Sequence, residues 1–114
     1  MVSMDYVKIA QTTDFIVDQK KKIAYEGKEI LLTKIEGRYY AIDNKCTHMG
    51  GSLYDGNLEG NTIVCPRHGS AFDVRTGKVV KQGKILFIKV RVPDTRSYLV
   101  KVEGTDILIS PSSE

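Results

Sequence analysis

Apolar and polar residues alternate with the period of a strand along the second half of the chain. Ile88, Val90 and Val92 are separated by Lys89 and Arg91, and Tyr98, Val100 and Val102 by Leu99 and Lys101, the pattern of segments with one buried and one exposed face. Glycine breaks recur between apolar runs at Glu26-Gly27-Lys28, Glu36-Gly37-Arg38, Glu59-Gly60-Asn61, Thr76-Gly77-Lys78 and Glu103-Gly104-Thr105. Glycine there permits the positive φ of tight hairpins, and Pro93-Asp94-Thr95-Arg96 reads as a further turn. Helical periodicity is nearly absent; only Thr13-Asp14-Phe15-Ile16-Val17 is suited to open a short helical turn on a Thr or Asp cap. The pattern predicts an all-β fold, an antiparallel β-sandwich of small sheets.

Composition narrows this to one domain over residues 1–114. At 114 residues and 41% hydrophobic content there is material for a single core and none for a second catalytic module. No stretch approaches the roughly 18 consecutive apolar residues of a membrane helix, and Met1-Val2-Ser3-Met4-Asp5-Tyr6 holds no apolar signal region. A soluble, unexported, cytoplasmic protein with no membrane insertion is expected. The formal charge of +3 and a pI of about 8.8 are mild. Lys20-Lys21-Lys22 reads as a solvated turn, and without aromatic interleaving it offers no support for nucleic-acid binding. Mild basicity suits an acidic protein partner and salt-sensitive association.

The candidate chemistry is concentrated in two short segments. Cys46-Thr47-His48 and Cys65-Pro66-Arg67-His68 contain every cysteine and every histidine of the chain. Thiolate sulfur and neutral imidazole nitrogen bind iron and zinc tightly, and four such donors suffice for one centre. Structural zinc fingers usually take both cysteines from one knuckle and both histidines from another, whereas each segment here offers one of each. The first pair follows a strand predicted to end near Ile42, and the second follows Thr62-Ile63-Val64, so both lie on loops at strand ends. On the donors alone, zinc and unmetallated thiols remain alternatives to iron.

The surrounding residues favour iron. Cys46-Thr47-His48-Met49-Gly50-Gly51-Ser52-Leu53 and Cys65-Pro66-Arg67-His68-Gly69-Ser70-Ala71-Phe72-Asp73, with Tyr40-Ala41-Ile42-Asp43-Asn44-Lys45 before them, resemble the cluster loops of the Rieske family. The likeness covers most of the chain, with a cluster-binding part at about 43–84. It implies one 2Fe–2S cluster per chain, Cys46 and Cys65 on one iron and His48 and His68 on the other. Members from cytochrome bc-type complexes carry an extra cysteine in each loop, forming a disulfide; the corresponding residues here are Gly51 and Arg67, so the chain is more similar to soluble Rieske-type ferredoxins.

The resemblance also implies roles around the ligands. Met49 would cover the cluster with apolar surface, Gly50 and Gly69 would shape the loops, and Arg67 would favour the reduced state or meet an acidic partner. Ser70 matches a serine that donates to a bridging sulfide, which raises the potential. Phe72 stands where high-potential relatives have a tyrosine whose hydroxyl bonds a ligand sulfur. The plainer readings are a turn-closing Ser70, a core Phe72 and a solvated Arg67. A potential in the lower to middle part of the Rieske range of about −150 to +300 mV is expected. A third loop around Val80 to Lys84 is expected to cover the remaining side.

The function implied is one-electron transfer. Oxygenase chemistry needs a further mononuclear iron site, and both histidines are already committed. Asp43, Asp55 and Asp73 show no paired acid–base arrangement and suit turns or surface. No catalytic residue is therefore assigned. The expected partners are a reductase and a terminal oxygenase or other oxidoreductase. The alternatives are a small subunit of a larger oxidoreductase of the nitrite reductase type, and a zinc-stabilised interaction module.

Overall fold

The computed structural model describes residues 6–16, 19–45, 52–66, 69–81, 83–85, 88–90 and 93–110. In chain order the strands are β1 (Val7–Gln11), β2 (Lys20–Tyr25), β3 (Lys28–Ile35), β4 (Arg38–Asp43), β5 (Asn57–Glu59), β6 (Thr62–Val64), β7 (Ala71–Asp73), β8 (Val79–Lys81), β9 (Gly83–Ile85), β10 (Ile88–Val90), β11 (Ser97–Glu103) and β12 (Asp106–Ser110). Among the described residues they form a six-stranded sheet in the order β1-β12-β11-β4-β3-β2, a four-stranded sheet β5-β6-β7-β8 and the ribbon β9-β10. The pairings are antiparallel, so the all-β expectation holds. No helix among the described residues is long and apolar enough to cross a membrane.

Local chemistry accounts for the two long hairpins. Tyr25 pairs with Lys28 and Ile35 with Arg38, leaving two-residue loops. Both residues of each loop have positive φ, 48° and 78° at Glu26-Gly27 and 51° and 79° at Glu36-Gly37. These are type I′ turns, whose twist matches that of the flanking strands. The short helical segment expected near Thr13 is a single 3-10 turn, Thr12–Phe15, in which the Asp14 carboxylate accepts the Gln11 N–H at 2.9 Å. It drops Phe15 into the core, edge-on to Tyr39 with ring centroids 5.3 Å apart.

The β3–β4 hairpin is a wall shared by two cores. Ile30, Leu32 and Ala41 pack with Phe15, Tyr98, Ile107 and Ile109 on one side. Leu31 and Ile42 pack with Leu53, Ile63, Cys65, Phe72 and Val74 on the other. Strand residues that alternate between two buried faces read as a continuous apolar run, as Ile30-Leu31-Leu32 does. The small sheet is thus held to the large one through the core that contains Cys65.

Two expectations are corrected. Lys20-Lys21-Lys22 is not a turn but the start of β2, the outermost strand of the large sheet. Ile23 and Tyr25 carry the strand forward, and lysines suit an edge because they discourage pairing with another chain. The segment Val80 to Lys84 is largely strand, lying in β8 and β9 on either side of Gln82, which is outside the described residues. Val80 and Lys81 are held by the β7–β8 ladder, where Ala71 pairs with Lys81.

Candidate metal centre

Strand β6 delivers Cys65 at its end, as the sequence predicted. The Cys65 N–H donates to the Ser70 carbonyl at 2.6 Å, and the Gly69 N–H donates back to the Cys65 carbonyl at 3.1 Å. Main-chain bonds therefore tie Cys65 to Gly69 and Ser70. Gly69 has φ 79°, with open space where a side chain would begin. Ser70 is buried, and its carbonyl closes the turn. Phe72 pairs with Ile63 across β6–β7 and is fully buried against the same core as Cys65. Both plainer readings of Ser70 and Phe72 thus describe contacts the fold does make.

The first candidate ligand segment follows β4, and its described ends are held quite differently. Asn44 is 3% exposed. Its Oδ1 accepts the Tyr54 N–H at 2.6 Å, and its Nδ2 donates to Ser52 Oγ at 2.9 Å and to Glu29 Oε1 at 3.4 Å. Its own N–H donates to the Glu29 carbonyl at 2.9 Å. One side chain therefore ties together the two ends of the segment that carries Cys46 and His48. Beyond Ser52 the chain makes a 3-10 turn, Leu53–Asp55, closed by Gly56 N–H donating to the Leu53 carbonyl at 3.0 Å. Lys20 reaches this turn from β2, its ammonium donating to the Tyr54 carbonyl and, at 2.7 Å, to the Gly56 carbonyl. Gly56 lies so close to β6 that a Cβ there would overlap the Val64 carbonyl oxygen, one residue before Cys65.

Below Asn44, the end of β4 is fixed to β11. The Tyr98 hydroxyl donates to Asp43 Oδ1 at 2.5 Å, Lys28 Nζ donates to that hydroxyl at 3.2 Å, and the Arg96 guanidinium lies 5.2 Å from the ring centroid. Burial, and then the hydrogen bond to the Asp43 carboxylate, push the Tyr98 phenol well above its ordinary range. Lys28, Glu29, Asp43, Asn44, Lys45 and Ser52 border a concavity of about 450 Å³ beside the first segment. Asp73 lies on the far turn, where hydrogen bonds from the Arg75 side chain hold its carboxyl below the usual range.

Of the sequence-predicted site residues, the structure brings Cys65, Gly69, Ser70 and Phe72 together at the end of β6 and start of β7. Cys46, His48, Met49, Gly50, Gly51, Arg67 and His68 lie outside the described residues. A 2Fe–2S group fits what is described. Cys65 is 1% exposed and walled by Leu31, Ile42, Leu53, Ile63 and Phe72, a setting that shields a sulfur donor from water. Asn44, Lys20, Gly56 and the Asp43–Tyr98 pair have no part in the centre that the sequence alone assigns. Their partners are eight to fifty-five positions away, beyond the reach of local spacing.

Comparison with known proteins is consistent with this geometry. The family model described as Rieske [2Fe-2S] domain matches residues 5–86. The chain is 34% identical to the ferredoxin component of the naphthalene 1,2-dioxygenase system of Pseudomonas putida, over 97% of this chain and 100% of the relative. It is 30% identical to the ferredoxin component of the 2,4-dinitrotoluene dioxygenase system of Burkholderia sp. (strain RASC), over 95% of this chain and 97% of that one. Among solved structures, the ferredoxin of carbazole 1,9a-dioxygenase from Nocardioides aromaticivorans IC177 superposes with a TM-score of 0.77 at 30% identity, covering 94% of this chain and 98% of that chain.

Proposed function

Because the chain belongs to the Rieske [2Fe-2S] domain family, we propose that it is the ferredoxin of a multicomponent oxygenase system, taking single electrons from a reductase and handing them to a terminal oxygenase. The observation that carries this reading is the full-length similarity to ferredoxin components of dioxygenase systems. The protein holds one 2Fe–2S cluster and is an electron carrier, not a catalyst. The bound cluster supplies reversible one-electron storage at a potential set by its ligands and surroundings.

In this reading Cys46 and Cys65 hold one iron and His48 and His68 the other. The chain's own contribution is to keep two loops in register and to exclude water from the sulfur side. The apolar core around Cys65 does the latter. Met49, Gly50, Arg67, Gly69, Ser70 and Phe72 surround the ligands. Phe72 brings an apolar ring without a hydroxyl donor, which supports a potential below that of tyrosine-bearing relatives. The whole chain acts as one domain, working in the cytoplasm, with residues 43–84 as its cluster-binding part.

Anaerobically purified protein is expected to contain two irons and two acid-labile sulfides per chain, as the 2Fe–2S composition requires. It is expected to be red-brown, and to restore dioxygenase turnover when mixed with a reductase and oxygenase of the naphthalene type. A colourless protein lacking iron and sulfide would overturn the reading, and a loaded protein that accepts electrons but supports no such oxygenase would restrict it to electron transfer elsewhere.

A further inference from the structure

Lys20 belongs to neither ligand segment, yet it grips the turn on which both depend. We propose that Lys20 is a positioning residue of the redox centre, its ammonium locking the Leu53–Gly56 turn to the edge of the large sheet and so holding the two ligand segments in register. The proposal rests on the carrier reading above.

The turn has four attachments. Asn44 holds the Tyr54 N–H and thereby the start of the first segment. Ser52, bonded to the same Asn44, is the segment's far end. Gly56 presses on the Val64 carbonyl, next to Cys65 and the second segment. Lys20 takes the carbonyls of Tyr54 and Gly56, with its ammonium 4.8 Å from the Tyr54 ring centroid. Tyr54 is thus held at its N–H by Asn44 and at its C=O by Lys20 of the large sheet.

Carbonyls at the end of a helical turn carry partial negative charge and lack intrahelical donors, which a cation satisfies well. Lysine offers three donors on a flexible stem, and two of them are used here on a half-buried carbonyl pair. Hydrogen bonds to charged groups contribute more than neutral ones. Lys22 provides the internal control. It lies 5.9 Å from the same ring, but its ammonium faces Glu29 at 3.7 Å, with both side chains about half exposed. Proximity to Tyr54 is therefore shared by two lysines, and carbonyl capping distinguishes Lys20.

The test compares cluster-loaded wild type with Lys20→Met, Lys20→Arg and Lys22→Met. Each is followed for rate of cluster loss under chelator, g values of the reduced protein and midpoint potential. Lys20→Met is expected to lose its cluster about tenfold faster, the scale of one lost charged hydrogen bond. Its g values should shift, and its potential should fall because a positive charge favouring the reduced state has gone. Lys20→Arg should restore most of each change, and Lys22→Met should match wild type in loss rate and g values, with a smaller shift in potential because the charge it removes is solvent-exposed and paired with Glu29.

Wild-type protein without iron or sulfide would sink the carrier reading and this proposal together. Loaded wild type alongside a Lys20→Met variant with unchanged loss rate, g values and potential would sink the proposal alone. A variant with lower thermal stability and nothing else altered would do the same, since that is an ordinary structural role. Should Lys20→Met not accumulate as folded protein, Lys20→Gln, which keeps an amide donor without the charge, is judged by the same readouts.

Discussion

The two proposed ligand segments meet the scaffold in opposite ways. The second is closed by main-chain bonds at its described ends, Cys65 N–H to the Ser70 carbonyl and Gly69 N–H to the Cys65 carbonyl. The first is held by side chains, Asn44 to Ser52, Tyr54 and Glu29, and Lys20 to the turn beyond. Main-chain closure tolerates most side chains provided the backbone can adopt the required dihedrals. Side-chain closure depends on the identity of a few residues and is indifferent to the rest. The difference predicts where substitutions in this protein are expensive.

The junction between the two segments is where the contrast disappears, and the largest effect is expected there. In Gly56→Ala the new methyl would overlap the Val64 carbonyl oxygen. Relief requires moving the 3-10 turn or β6, which displaces one ligand segment or the other. A loss of about 3 kcal/mol or more is expected, read as a lower urea midpoint by circular dichroism and as poor cluster incorporation. An unperturbed midpoint would mean that the two segments are not coupled through this contact.

Next in size is Asn44→Ala. It strips the Tyr54 N–H of its acceptor and Ser52 of its donor in a site that is 3% exposed. Leaving buried polar groups unpaired costs about 2–3 kcal/mol. Asn44→Asp keeps the acceptor and removes the donor: the carboxylate can still accept from Tyr54, Ser52 keeps a bond only by turning its own hydroxyl to donate, and the new charge faces Glu29 across 3.4 Å. It is expected to be no better than alanine, because the retained hydrogen bond is offset by like-charge repulsion. Stability and cluster retention measured for both variants check this; an aspartate variant as stable as wild type would show that donation from residue 44 is dispensable.

These dependences explain what was and was not legible in the sequence. Hairpins were readable because their signal is local: Glu26-Gly27 and Glu36-Gly37 sit between apolar runs and form two-residue turns. The placement of Cys65 after Thr62-Ile63-Val64 was readable for the same reason. Lys20-Lys21-Lys22 misled because charge density favours a solvated turn, whereas Ile23 and Tyr25 and the pairing to β3 make it a strand. The strands on either side of Gln82 leave no sequence signal because each spans only three residues, too short for alternation to register. Asn44 was visible only as part of a family-like flank. Its work lies in bonds to Glu29, Ser52 and Tyr54, which no spacing rule anticipates.

A smaller effect sharpens the comparison from the second segment. Gly69 has φ 79° and nothing within reach of an added Cβ, so Gly69→Ala introduces backbone strain without a clash. About 1–2 kcal/mol is expected. Ser70→Ala leaves the turn-closing carbonyl in place and is expected to change stability little, so a shift in midpoint potential would report the sulfide bond expected of its hydroxyl. Large destabilisation by Ser70→Ala would show that side chains close this segment too and would erase the distinction drawn above.

The smallest effect separates the segments by pH. Tyr98 steadies the end of β4 through Asp43 Oδ1, on the side of the first segment, and its phenol is raised above the ordinary value of 10.0 by burial and by that hydrogen bond. Because the folded value exceeds the unfolded one, the contribution is complete below pH 10 and is lost as pH climbs through the folded value. Tyr98→Phe removes the bond at every pH and is expected to cost about 1 kcal/mol near neutrality. Phenylalanine does not titrate, so the stability gap between wild type and variant should narrow steadily as pH rises above 10. Denaturation midpoints for the pair across that interval measure it, and a gap that stays constant would place the Tyr98 proton outside the linkage between fold and alkali. Loosening that begins at the first segment should appear as proteolysis near Lys45 while the Cys65 to Ser70 turn, closed by amides that do not ionise there, remains protected.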